Sequence, residues 1–191
     1  MELLMIRHPP VQGAVGRCYG QLDLPLAEGW QGPLAVLRQR WQQEGQTVWS
    51  SPLRRCRDVA GAWGGGVRCD ARLMEIHFGT WEGQRWSEIP AEALNAWMAD
   101  YTREAPPGGE TMTQLQIRVR AWLEELRREN RSAVVFTHAG VIRCVLATLL
   151  DLPLSRWFQF HIPFLSPIPL QLGEQPEQDL IGWPEGDGVM G

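Results

Sequence analysis

Three short runs of almost unbroken apolar residues constrain the fold of this chain: Leu3-Leu4-Met5-Ile6, Val48-Trp49 behind Thr47, and Ala133-Val134-Val135-Phe136. Each is too short for a buried helix and stops at a polar residue, the pattern of a strand covered on both faces in a parallel sheet. Helical spacing fills the gaps between them. Residues 29–44 place Trp30, Leu34, Leu37 and Trp41 on one face before Gly45, and a second helix follows Ser50-Ser51-Pro52 to about Trp63. Thr111 is placed to cap a long helix reaching about Asn130 through Leu115, Val119, Trp122, Leu123 and Leu126. Residues 91–101 and 141–150 read as further helices and 67–69 as a short strand. Residues 168–172 and 180–183 read as edge strands because proline crowds this region, and the Gly-rich stretch 184–191 reads as a frayed tail. This alternation predicts an α/β fold, a three-layer α/β/α arrangement with a mostly parallel central sheet, in one domain over residues 1–191.

Composition narrows the class of partner. The hydrophobic share of 44% and charged share of 21% are those of an ordinary globular chain, not of a disordered or fibrous one. A net charge of −4 gives no electrostatic footprint for a nucleic acid backbone and argues for a small molecule. No apolar run approaches the roughly 20 residues that span a bilayer, and MELLMIRHPP lacks the features of a secretion signal. A cytoplasmic protein without a membrane partner is the expectation, with its oligomeric state left open. Cys18, Cys56, Cys69 and Cys144 are scattered, which suits reduced thiols better than a metal or disulfides. All 18 basic residues are arginine, so Schiff-base lysines and the P-loop lysine are excluded.

Ligands of open α/β sheets gather beyond the carboxyl ends of the strands, where this chain carries Arg7-His8 and Thr137-His138. An imidazole that attacks phosphorus needs one neutral ring nitrogen, with cations or amide hydrogens around the nonbridging oxygens. His8 has Arg7 beside it, and Arg54, Arg55 and Arg57 crowd the start of the next helix, where the planar fork of arginine suits phosphate. Arg54 and Arg57 read as a solvated face. His138 is followed by Ala139 and Gly140 at a helix start, where amides and the dipole favour an anion. Glu75, in LMEIHFGTWEG, is placed to supply a proton to a leaving oxygen. Taken singly, a histidine bonded to nearby backbone and an exposed loop carboxylate explain His8 and Glu75 equally well.

The ordered set decides between these readings. Arg7-His8, Ser51-Pro52-Leu53-Arg54-Arg55-Cys56, Leu73-Met74-Glu75 with Phe78-Gly79-Thr80-Trp81-Glu82-Gly83, Pro107-Gly108-Gly109-Glu110-Thr111 and Thr137-His138-Ala139-Gly140-Val141-Ile142-Arg143 together resemble the histidine phosphatase superfamily, in its phosphoglycerate mutase-like branch. The resemblance implies a phosphoglycerate mutase-like fold and a nucleophilic His8 that is transiently phosphorylated. It further implies that Arg7, Arg55, His138 and the Ala139 amide surround the phosphoryl oxygens, and that Glu75 protonates the leaving alcohol and then activates water. Neither a metal nor a cofactor is required by that scheme. The stretch from Gly16 to Leu26 is most similar to α-ribazole phosphatases, which implies α-ribazole 5′-phosphate as substrate, in cobalamin nucleotide-loop assembly.

The chain also departs from the family pattern. Pro9 and Pro10 follow the nucleophile where most relatives have glycine, Gln12-Gly13-Ala14 replaces a frequent asparagine, and Val59 stands where many carry threonine. His77 is at best a supporting residue, and His161 reads as satisfying a local hydrogen bond. The cysteine phosphatase loop, the Asp-x-Asp of aspartyl-phosphate enzymes, HExxH and the P-loop are all missing. A sugar-phosphate or phosphoglycerate phosphatase or mutase of the same superfamily is the enzymatic alternative, and an inactive phospholigand-binding module the alternative from another class.

Overall fold

The computed structural model describes residues 1–182. Six strands form one sheet: β1 (Glu2–Arg7), β2 (Thr47–Ser50), β3 (Val67–Cys69), β4 (Ala133–Thr137), β5 (Pro167–Gln171) and β6 (Leu180–Ile181), in the order β3-β2-β4-β1-β5-β6. The first three neighbouring pairs are parallel, and the last two, β1 with β5 and β5 with β6, are antiparallel. Helices α1 (Gln31–Trp41), α2 (Arg54–Trp63), α3 (Ala91–Ala99), α4 (Met112–Glu129) and α5 (Ala139–Leu149) connect them.

The period of two along each strand divides the unbroken apolar runs between two cores. Leu4, Ile6, Val48, Val134 and Phe136 pack with Leu34 of α1 and Cys56, Val59, Ala60 and Trp63 of α2. Leu3, Met5, Trp49, Ala133 and Val135 face the opposite way, against Leu115, Val119, Trp122 and Leu126 of α4 and Val141, Ile142 and Val145 of α5. Both faces are therefore covered, giving the expected three-layer α/β/α arrangement. Val59, where relatives carry threonine, is simply part of the first core. Thr111 caps α4 as its spacing predicts: its side chain accepts from Gln114 N at 3.0 Å, and Gln114 Oε1 accepts from Thr111 N at 2.8 Å.

The prolines of the last strands misplace one of them. β5 lies inside the sheet between β1 and β6, and of these last two strands β6 alone is an edge. Pro169 O accepts from Gly182 N at 3.4 Å, so this residue turns its hydrogen-bonding side away from β1 and its missing N–H removes nothing from that ladder. Residues 183–191, including Trp183 and the expected frayed tail, lie outside the described residues.

Two loops roof the carboxyl ends of the strands. The loop after β1 is zipped at its base by the Val11–Leu26 bridge, and farther out Arg17 bridges Arg85 of the segment after β3. That segment crosses residues 106–110 so closely that a Cβ on Gly79 would stand 2.1 Å from Pro107 O, at a φ of +55°. Phe78, Trp81, Trp86, Ile89, Trp97 and Tyr101 fill the space beneath. Gly79→Ala is expected to lower the urea unfolding free energy by about 1–3 kcal/mol, whereas a midpoint equal to wild type would show that this crossing yields freely.

Candidate functional site

β4 lies between β1 and β2, and its register pairs Arg7 with Thr137 and Ser50 with Phe136, so the three strands end at one level. The ladder continues one residue farther, with His8 N donating to Thr137 O at 2.9 Å and Ser51 N to Phe136 O at 3.0 Å. His8, His138 and Ser51, all buried, consequently stand together, with the two imidazole centres 5.2 Å apart.

His8 Nδ1 lies 2.6 Å from Pro9 O. A carbonyl can only accept, so Nδ1 carries the proton and the neutral ring presents a lone pair at Nε2. The contact uses a carbonyl, which proline keeps, and not the amide it lacks. Pro10 O in turn accepts from Ala27 N at 2.9 Å and ties the base of the loop. Burial, and next the charge of Arg55, lower the His8 pKa from 6.5 to about 3.

His138 is fixed from both sides. Arg55 Nε donates to its Nδ1 at 3.3 Å, so the neutral ring carries its proton on Nε2, 2.8 Å from Ser51 Oγ. Burial and then Arg55 hold its pKa well below the usual histidine range. Its most direct effect is to orient Arg55. That arginine, wholly buried in the first turn of α2, donates from Nη1 to Leu22 O at 2.8 Å and from Nη2 to Gly20 O, with Tyr19 alongside at 5.4 Å. The first amide of α2, Arg54 N, donates to the Asp23 carboxylate at 3.0 and 3.1 Å. Arg54 and Arg57 face solvent beside Asp58, as expected.

Arg7 is clamped by the loop before β5. Its Nη1 donates to Ile162 O at 2.7 Å, the Phe164 ring centre lies 3.7 Å from the guanidinium, and Leu165 N donates to Arg7 O at 3.0 Å. Leu165 sits at a φ of +51°, a left-handed conformation costing about 1–2 kcal/mol that the three contacts hold in place. Arg7 Nε is buried without a hydrogen-bond partner among the described residues.

Glu75 reaches the start of α5. Its Oε2 accepts from Gly140 N at 3.1 Å and its Oε1 from Ile76 N at 3.0 Å, so the Gly140 amide holds this carboxylate. The preceding amide, that of Ala139, has no acceptor among the described residues. The Glu75 carbonyl accepts from Gln21 Nε2 and from Arg118 Nη2, both at 3.1 Å. Arg118 also binds Arg72 O and Met74 O at 2.7 Å and pairs with Glu110.

The five side chains singled out from the sequence are thus brought together at the strand ends: His8 meets His138, Arg55 bonds His138, and the charges of Glu75 and Arg55 act on Arg7, with the Ala139 amide opening the helix whose Gly140 amide holds Glu75. Sequence reasoning gave no role to Ser51, Gln21, Arg118 or Glu82, whose carboxylate accepts from the amides of Gln21, Leu22 and Phe78. Glu82 and Glu110 do belong to the family motifs, but their partners are far away in the chain. Gln12, near the missing asparagine, donates its amide to Leu26 O at 3.1 Å. His77 contributes its backbone, to Glu110. His161 departs from its expectation: it is exposed and makes no hydrogen bond among the described residues, and its neighbours Ile162 and Leu165 hold the loop instead.

Clefts at the far end of the sheet and beside β6 bring together no histidine or arginine. Among the described residues, no group of three or more His, Cys, Asp or Glu is arranged to hold a metal ion, and no helix is long and apolar enough to cross a membrane.

Residues 3–176 match the family model of the histidine phosphatase superfamily, branch 1. The chain is 34% identical over 175 residues to a glucosyl-3-phosphoglycerate phosphatase of Mycobacterium tuberculosis, covering 82% of this chain and 78% of that one. It is 29% identical over 171 residues to phosphoserine phosphatase 1 of Hydrogenobacter thermophilus, covering 84% and 81%. The crystal structure of an α-ribazole phosphatase from Shigella flexneri superposes with a TM-score of 0.86 over 95% of each chain at 22% identity, a likeness of fold, here the phosphoglycerate mutase-like one.

Both histidines are neutral when folded, whereas an unfolded chain takes up their protons near pH 6.5. The unfolded state then binds more protons, so stability is lost as pH falls from about 6.5 toward 3. The Tm of wild type should drop across that window and that of His8→Asn should drop less steeply; parallel curves would contradict a neutral buried His8.

Proposed function

The chain belongs to the histidine phosphatase superfamily, and its enzyme class is phosphoric monoester hydrolase; on that premise we propose that it hydrolyses small phosphomonoesters through a phosphohistidine on His8. The observation that carries this is the His8 ring itself, neutral, with Nδ1 bonded to Pro9 O and an Nε2 lone pair beside Arg55 and Arg7. Both guanidinium groups are held by backbone carbonyls, so their charge is left for a phosphoryl group.

In the first step the Nε2 lone pair of His8 forms a bond to phosphorus as the ester P–O bond breaks. Arg7, Arg55 and the Ala139 amide take the nonbridging oxygens, with His138 holding Arg55 in register and joining the pocket through its ring. The unpartnered Arg7 Nε gains an acceptor there. Glu75 gives its proton to the leaving alkoxide. In the second step the Glu75 carboxylate takes a proton from water, whose oxygen attacks the phosphohistidine, and the P–N bond breaks to return His8 and inorganic phosphate. Aiming fixed cations at developing charge is worth several kcal/mol of barrier in comparable sites.

The substrate is the finer question. α-Ribazole 5′-phosphate rests on the stretch from Gly16 to Leu26, yet Gly20 O and Leu22 O hold Arg55 and Gln21 holds Glu75. That similarity therefore reports how the pocket is built more than which alcohol leaves. Free-phosphate release from α-ribazole 5′-phosphate, sugar phosphates, phosphoglycerates and phosphoserine decides among them, and exchange between phosphoglycerate positions without free phosphate would indicate a mutase.

Rapid mixing with p-nitrophenyl phosphate should give acid-labile phosphate on wild type and none on His8→Ala, whose turnover falls below detection. Labelling of the alanine variant would refute the mechanism, and an unlabelled, inactive wild type would indicate a binding module. Glu75→Gln should slow alkyl phosphates by about 10²–10⁴-fold. With p-nitrophenyl phosphate, whose leaving group needs no proton, that variant should instead accumulate phosphoenzyme. A Cβ on Gly140 would stand 2.1 Å from Glu75 Oε1, so Gly140→Ala should mimic Glu75→Gln in rate while α5 gains up to about 1 kcal/mol of helix propensity.

A further inference from the structure

The segment after α5 holds two arginines in the same way, and only one of them has a role so far. Arg7 is fixed by Ile162 O and the Phe164 ring. Arg143 donates from Nε to Phe160 O at 3.0 Å and lies 5.5 Å from the Phe158 ring centre. It follows Gly140 by three residues on α5, which puts it on the helix face that carries the amide bound to Glu75. Its partner Phe160 belongs to the same segment as the Ile162 and Phe164 that hold Arg7, so Arg143 stands at the same end of the sheet, where the charges of Glu75 and Arg7 act on it.

What sets Arg143 apart is the lack of a counter-ion. The comparably enclosed Arg72, Arg118 and Arg127 each pair with a carboxylate, from Asp70, Glu110 and Asp179 respectively. Among the described residues Arg143 forms no ion pair, and its two Nη groups have no acceptor. Taking a cation partly out of water without a partner is unfavourable, as the lowered pKa of Arg143 reflects. A guanidinium fixed through Nε and a ring face keeps its Nη pair for an outside ligand. Two parallel N–H groups match the two oxygens of a carboxylate. Charge agrees: with Glu75 holding the proton it delivers, Arg7 and Arg55 balance a phosphoryl dianion, and Arg143 balances one further negative charge.

We infer that Arg143 is a specificity-determining residue of this site, binding a carboxylate on the alcohol part of the substrate, next to the ester oxygen that Glu75 protonates. The inference rests on the phosphatase reading above and narrows its substrates to phosphorylated small organic acids.

Matched pairs test it: O-phosphoserine against O-phosphoethanolamine, which differ by the carboxylate, and 3-phosphoglycerate against glycerol 3-phosphate. Wild type should favour the acid in each pair by about 10- to 100-fold in kcat/KM, the range of a charge-assisted hydrogen-bonded contact. Arg143→Gln should collapse that ratio, mainly through KM of the acids, and Arg143→Lys should restore part of it. A wild-type ratio near one overturns the inference without any variant, as does an Arg143→Gln protein that loses both members of a pair equally. Failure of wild type to hydrolyse these four compounds and p-nitrophenyl phosphate would instead refute the phosphatase reading itself.

Discussion

The site depends on one backbone arrangement, the parallel pairing of β4 between β1 and β2 with all three strands ending level. Strand pairing has a period of two, so a slip of one residue would turn Arg7, Ser50 and Thr137 to the opposite faces of the sheet. Such a slip is resisted strongly because both faces are packed: Met5 and Val135 enter one core while Ile6 and Phe136 enter the other. The hydrophobic effect that secures the fold thereby sets the relation of His8, Ser51 and His138 to within one residue. Their rings are then adjusted by hydrogen bonds that leave a lone pair on His8 and none to spare on His138.

The second theme is how positive charge is kept available in a buried place. Arg7, Arg55 and Arg143 are each held by backbone carbonyls and a neighbouring aromatic ring. Carbonyl dipoles orient a guanidinium without cancelling its charge. A carboxylate would do both, as Glu110 does for Arg118, whose task is to hold the chain at residues 72–75. Burial first, and then the charges of Arg55 and Arg7, keep both histidines neutral, which gives a nucleophile that needs no deprotonation at ordinary pH.

The roof is coupled to the chemistry through single-residue contacts. Glu82 gathers three backbone amides from two loops, and the loop after β1 supplies the carbonyls of Gly20 and Leu22 to Arg55 and the side-chain amide of Gln21 to the Glu75 carbonyl. Close approach is possible because Gly20 and Gly109 lack a Cβ, which would stand 1.9 Å from Ile76 O and 2.5 Å from His77 O. The FGTWEG and PGGET motifs are thus largely means of locking two loops together over the strand ends.

Local signals in the sequence determined the three buried strands, the helices between them, the cap at Thr111 and the polar stops. The order of its motifs picked out Arg7, His8, Arg55, Glu75 and His138. These features act over a few residues, through apolar periodicity and backbone capping, or recur as short motifs, and both are readable in one dimension. The tertiary structure alone decided that β5 lies inside the sheet, that His138 steadies Arg55 from beside Ser51, and that residues 158–165 clamp two arginines. Each of these depends on partners far apart in the chain, 83 residues for Arg55 and His138 and 155 for Arg7 and Ile162. Such contacts follow from strand register and loop packing, which no local pattern encodes, because they exist only once both sheet faces are buried.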